Sequence, residues 1–340
     1  MTGCSSPDAE VSEYRAAVLG QSGDRTVSGQ EVVNQYAILA TNALAGSRSI
    51  TLQNLSDLPG LKAGDVLFII QMQGALISTE NTLTFGQVGD LAGAGNYEFI
   101  GVSDVDPERN VITVLDACGG LRNNYSAAGQ TQVIRVPQFG RLSVAGSGAV
   151  VAPPWDGRLG GVVALMAQGT IQVEGAIDAS AAGFRGAPRN ENGMRRVQGN
   201  SDFYTSIGKQ DGGIKGEGVA GSAQQLLAAG SYGRGAPGNG GGGGNRQMSG
   251  GGGGGGAGDP TRWRGNGVMP EIAANLGCVA NAGWLLDPEV TSGQLSRESG
   301  GGRGGYSYSA PDKVLSPCAA GPNDADWGGD FRLQRGGLGG

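Results

Sequence analysis

The chain has 340 residues, 68 of them glycine, with 38% hydrophobic, 6% aromatic and only 16% charged residues. Glycine is far above its usual share of about 7%, yet it lacks the strict third-position recurrence of collagen and is accompanied by only 14 prolines. Histidine is absent and the net charge is −6, which removes Ser-His-Asp and Cys-His nucleophile pairs and His-ligated zinc, and argues against nucleic acid as the main partner.

In chain order, residues 1–30 are polar and predict an extended leader. Its opening, Thr2-Gly3-Cys4-Ser5-Ser6, is similar to the start of a mature bacterial lipoprotein, where cleavage before a cysteine leaves that residue as the lipid carrier. The charged and apolar regions of a signal peptide are missing, and an ordinary cysteine near a polar terminus is the alternative reading of Cys4. Residues 31–140 change in kind. Short β-branched runs (Ser49–Leu52, Ala63–Gln73, Tyr97–Val102, Val111–Leu115, Gln132–Val136) alternate with Gly, Asp, Pro and Asn, and Asp106–Asn110 reads as a turn. This pattern predicts a β-barrel or sandwich module.

Over 141–186 the text becomes repetitive. Leu142–Val150 is echoed by Ile171–Ala179, with Val144-x-Gly146 and Val173-x-Gly175 at equivalent places. Short strands at that spacing, with glycine at the corners, predict stacked turns of a parallel β-helix, and about three units are needed for stability. Residues 187–340 are glycine-dominated, with pure runs at Gly240–Gly244 and Gly250–Gly256. A flexible linker is the simplest reading of such tracts. Against it, they are interleaved with Trp263, Trp284, Trp327, Tyr306, Tyr308, Phe331 and two cysteines. Glycine segments can lie side by side and bond through their backbones, but ordering glycine costs the most backbone entropy of any residue. An ordered polyglycine-II bundle is therefore expected, anchored by the aromatics and a disulfide. The fold class expected is all-β with little or no α-helix.

Of the four cysteines, Cys4, Cys118, Cys278 and Cys318, none has CxxC spacing, so zinc and thioredoxin-type sites are not expected. Four cysteines allow three pairings; Cys278–Cys318, flanking a loop-rich segment, is the preferred one, with reduced thiols as the alternative. GxGxxG matches such as those within Gly233–Gly243 follow no strand and open no helix, so a dinucleotide site is not expected. Asp104, Asp106 and Glu108 are weak calcium candidates, as is Asn323–Asp326, with a solvated turn as the alternative. No other cofactor is expected. Tyr306, Tyr308 and Trp327 offer amphipathic contact faces.

Six strings occur together: Ile69–Ala75, Gln132–Gln138, Trp155-Asp156-Gly157, Gly183–Gly186, Lys215–Gly221 and Trp327–Asp330. In that order the chain resembles a group of large glycine-rich, secreted or lipid-anchored surface proteins of Gram-negative bacteria. The glycine-rich half is also similar, in composition, to polyglycine bundles of some phage tail adhesins. The resemblance implies an extracellular location and carries over no catalytic residue. It also implies that the sequence continues past Gly340, so that a fragment, a processed product or a stack completed by another subunit is expected. The functions weighed are a surface structural protein or adhesin, a self-assembling fibre subunit, and a carbohydrate-active β-helix enzyme using Arg or Lys as base. The partners expected are other copies of the chain or a cell-surface glycan, with a lipid anchor at Cys4.

Overall fold

The computed structural model describes residues 21–81, 85–115, 119–188, 213–222, 232–233, 235–243, 251 and 254. The chain divides into two units, Met1–Gly74 with Gly93–Gly183, and Ala75–Ala92 with Phe184–Gly340. Sixteen strands lie among the described residues. They are β1 (Arg25–Val27), β2 (Gln30–Glu31), β3 (Gln35–Ile38), β4 (Ser49–Thr51), β5 (Val66–Gln71), β6 (Leu76–Ile77), β7 (Val88–Asp90), β8 (Tyr97–Asp106), β9 (Val111–Val114), β10 (Thr131–Val136), β11 (Gln138–Phe139), β12 (Leu142–Val144), β13 (Ala149–Val151), β14 (Met166–Ala167), β15 (Ile171–Val173) and β16 (Ala176–Asp178). The one helical turn among these residues is 3-10, over Leu55–Asp57.

In the first unit, β3-β10-β5-β8-β9-β4 form a six-stranded antiparallel sheet. Its two edges approach each other. Leu39 bridges Leu52, the Ala40 N–H donates to the Thr51 carbonyl at 2.8 Å, and the Gln53 N–H donates to Ile38 at 2.9 Å. The sheet thereby curls into a half-barrel. Inside it pack Leu39, Leu52, Leu67, Ile69, Ile112 and Tyr125 among others. The opposite face carries Val66 and Val136, with Phe68 and Phe99 against Ala164 and Met166. Two apolar faces explain why β5 is a continuous apolar run rather than an alternating one. A bulge at Ser103 lets β8 pair with β5 over its first half and β9 over its second, and the Ser103 hydroxyl donates to the Thr113 carbonyl at 3.1 Å.

The other strands of this unit pair in parallel and stack in three layers. Strand β12 lies between β1 and β15, and β13 lies between β2 and β16. The echo read in the sequence is a register, because Val144 pairs with Val173 and Leu142 with Ile171. The third layer needed for stability comes from upstream. Arg25–Val27 and Gln30–Glu31, all but Glu31 expected within an extended leader, are β-paired as the first layer, with Val27 opposite Val144. The sequence boundary at residue 31 therefore falls inside that layer, and the half-barrel is an insertion between the first layer and the second.

Corner glycines set the layer spacing. The Gly169 N–H donates to the Gly140 carbonyl and the Gly140 N–H to that of Gly23, each at 2.8 Å. At another corner a Cβ on Gly148 would overlap the Val27 carbonyl oxygen, and one on Gly175 would overlap that of Gly148. Buried amides fix a strap to the half-barrel. Asn34 accepts from the Ala164 N–H at 3.0 Å and donates to the Ala164 carbonyl, while Gln132 pairs in the same reciprocal way with Gly160 at 2.8 and 3.0 Å. Each amide replaces the backbone partner that an irregular segment lacks.

Candidate functional site

Three places in the described residues have the chemistry to matter: a polar concavity, a glycine-packed segment and an open parallel layer.

The concavity lies in the first unit, has a volume of about 240 Å³, and is lined by Gln35, Asp65, Arg135 and Gln138 among others. Buried Asp65 is saturated. It accepts from the Lys62 N–H at 3.0 Å, from Lys62 Nζ at 3.1 Å and from Arg135 Nη2 at 2.8 Å. Arg135 also donates to the carbonyls of Pro59 and Gly60 at 2.7 and 3.1 Å. A carboxylate held by two cations offers neither a free base nor a nucleophile, so the cluster braces the loop before β5. Glu98, buried on β8, is engaged likewise. Its carboxylate accepts from the backbone N–H groups of Arg122 and Asn123 and, at 2.9 Å, from the Tyr125 hydroxyl. Burial above all, and then the Glu98 charge, push the Tyr125 phenol well above its usual range. Tyr36, whose hydroxyl donates to the Val162 carbonyl at 2.7 Å, is pushed by burial up to about 12.

The second unit shows why the Lys215–Gly221 string reads as it does. Glycine and charged residues alternate, so Gly216 and Gly218 share one side of the extended segment. On that side the Gly216 N–H donates to the Gly241 carbonyl at 2.7 Å. A Cβ on Gly218 would come within 2.6 Å of the Gly240 nitrogen, and one on Gly240 within 2.8 Å of the Gly216 oxygen. Lys215 and Glu217 are both buried. Lys215 Nζ sits 4.3 Å from the Phe85 ring centroid and donates to the Gly233 carbonyl at 2.9 Å and to that of Gly235. Glu217 accepts from Arg185 Nε at 2.9 Å and from the Arg185 N–H at 3.1 Å. Among the described residues, then, the anchors of the glycine segments are a buried lysine and a buried carboxylate. The aromatics and the disulfide that sequence reasoning expected in that role lie outside the described residues, and it gave Lys215 and Glu217 no anchoring role. Charged residues alternating with glycine over Lys215–Gly218 were the available signal.

Of the sequence candidates, Asp104 and Asp106 lie on β8 and Glu108 in the turn that follows. The structure turns Asp106 onto its own backbone, where it accepts from the N–H groups of Glu108 and Arg109 at 3.0 and 3.1 Å. That is a capped turn between β8 and β9. Among the described residues no group of three or more His, Cys, Asp or Glu side chains is placed to hold a metal ion. Cys4, Cys118, Cys278, Cys318, Tyr306, Tyr308, Trp327 and Asn323–Asp326 lie outside the described residues.

Among the described residues the third layer is the last of the parallel stack. Among the described residues β15 pairs only with β12 and β16 only with β13. Every residue of these two strands is exposed. Asp178 accepts from the Ser180 N–H at 2.7 Å, and hydrogen bonding from Ser180 holds its carboxyl below the usual range.

No family model matches the chain, and no curated protein does. Among solved structures it is distantly similar to tailspikes. The Gp54 tailspike of Acinetobacter baumannii bacteriophage AP22, in complex with A. baumannii capsular saccharide, is 17% identical at a TM-score of 0.22, over 45% of this chain and 22% of that one. Tailspike gp61 of Pseudomonas phage phi297 is 19% identical at 0.21, over 39% and 20%. Tailspike gp49 of Pseudomonas phage LKA1 is 16% identical at 0.21, over 39% and 25%. The chain thus matches no more than a quarter of each of these proteins.

Proposed function

We propose that the protein is a non-enzymatic extracellular surface protein, a structural scaffold or adhesin. In this reading β-helix-like layers and a polyglycine-II-type bundle are its working parts, and the aromatics Tyr306, Tyr308 and Trp327 its contact groups. The observation that carries the proposal is the backbone-to-backbone packing of residues 213–222 with 235–243, in which the Gly216 N–H is bonded to the Gly241 carbonyl and glycine is required by close approach. Ordering glycine backbone in this way is costly, which suits a rigid scaffold. The absence of histidine and the saturation of Asp65, Glu98 and Glu217 fit the same reading.

Deleting residues 236–258 tests it. The deletion is expected to remove the melting transition of the glycine-rich half together with binding to Gram-negative cell surfaces. Retention of both would contradict the proposal. A screen against acidic polysaccharides, with and without calcium, is expected to give no cleavage; any turnover would favour a carbohydrate-active enzyme instead.

A further inference from the structure

Among the described residues the parallel stack has two ends, and they are built differently. Register defines three columns of side chains running through the layers: Arg25–Leu142–Ile171, Val27–Val144–Val173 and Glu31–Val150–Ile177. In the middle layer all three are core residues, with Leu142 1%, Val144 0% and Val150 0% exposed. In the first layer two of the three column positions are charged, and Arg25 Nη2 meets Glu31 Oε1 at 2.5 Å. A half-exposed ion pair thus lies over Leu142 and Val150, with charge toward water and the aliphatic stems over the core. In the third layer the same columns end in Ile171, Val173 and Ile177, which are 42%, 44% and 44% exposed. Among the described residues their strands are also sheet edges, the kind of backbone that can pair with another strand.

From this asymmetry we infer that the third layer is an interaction surface for a second copy of the same chain, docked third layer to third layer about a two-fold axis. Head-to-tail stacking would bury the Arg25–Glu31 pair against Ile171 and Ile177 and strip both charges of water, which is costly. Placing third layer on third layer through β15 sets the apolar Ile171 and Val173 columns on each other. A two-fold axis through Gln172 runs β15 antiparallel to its copy. Gln172 then faces its own equivalent, Ile171 faces Val173, and Glu174 faces Thr170, so no like charges oppose. Such an interface is isologous and closes on itself, giving a pair and not a fibre. Three partly exposed side chains and two short edges fall below the roughly 800 Å² per partner of a stable complex, so the pair is of the weak, concentration-dependent kind. The inference concerns self-association and does not depend on the surface role proposed above.

Sedimentation velocity on the full chain, from low to high micromolar concentration, tests it, alongside the Ile171→Arg/Ile177→Glu variant, which transplants the closing ion pair to the open end. The wild-type chain is expected to shift from monomer to dimer with nothing larger. The variant should keep its melting curve and weaken dimerisation at least about tenfold. A wild-type chain that stays monomeric, a variant that dimerises as the wild type does, or growth into open-ended chains would each overturn the inference. Should the double variant not fold, Ile171→Lys on the same edge is read against the same outcomes.

Discussion

A carboxylate pointing into a β core is tolerated only if every lone pair is used, and Glu98 meets that condition through the Arg122 and Asn123 amides and the Tyr125 hydroxyl. Tyr125→Phe removes the one side-chain donor while keeping the ring. The expected loss is about 1–3 kcal/mol, from a buried acceptor left short of a partner, read as a lower denaturation midpoint with an unchanged slope. The Tyr36 phenol extends the same logic to pH. It ionises at 10.0 in the unfolded chain and is pushed up to about 12 in the folded one. Its contribution to stability is therefore whole below pH 10 and lost as pH rises from 10 toward 12. Alkaline unfolding in that window should be delayed to higher pH in Tyr36→Phe relative to its own neutral-pH stability. A variant that tracks the wild-type alkaline profile contradicts this. Glu98 was legible in principle, because the alternation Glu98, Ile100, Val102 puts a charge on the core side of a strand. Its partners were not, since they lie on a loop distant in sequence.

At the scale of elements, corner glycines are the most direct test of the stacked layers. Gly175→Ala and Gly148→Ala each drive a methyl into a carbonyl oxygen of the neighbouring layer. Each should cost about 1–3 kcal/mol. Gly146 has open space where a Cβ would stand, so Gly146→Ala should stay within about 0.5 kcal/mol. Equal melting points for Gly175→Ala and Gly146→Ala would remove the layer geometry. The strands of the half-barrel were readable because β-branched runs end at Gly, Asp and Asn: the run Ala63–Gln73 contains β5 and Val111–Leu115 overlaps β9. The second and third layers were readable because they follow each other. The first was not, although Val27-x-Gly29 repeats the motif of Val144-x-Gly146 and Val173-x-Gly175. An entire antiparallel sheet separates it from its partner strand, and no fixed period survives such an insertion. Val27 pairs with Val144 because the columns need an apolar residue there, whatever the length of the excursion between them.

For the molecule as a whole, both units use one device, in which glycine lets backbones approach until peptide groups bond across the gap, and a few buried polar side chains fix the result. In the first unit those side chains are Asn34 and Gln132, and in the second Lys215 and Glu217. Composition alone made the close backbone approach foreseeable. The identity of the anchors was not, because a lysine among glycines reads as a solvated surface residue until the Phe85 ring and the Gly233 carbonyl are brought to it. Hydrogen exchange of the intact chain, resolved across residues 213–222 and 235–243, tests the central claim most directly. The amides of Gly216, bonded to Gly241, of Val219, bonded to the Asn239 side chain, and of Gly238, bonded to Gly86, should exchange many-fold more slowly than in an unstructured chain of the same sequence. Exchange at unstructured rates over both segments, in protein whose half-barrel amides are protected, would contradict the account.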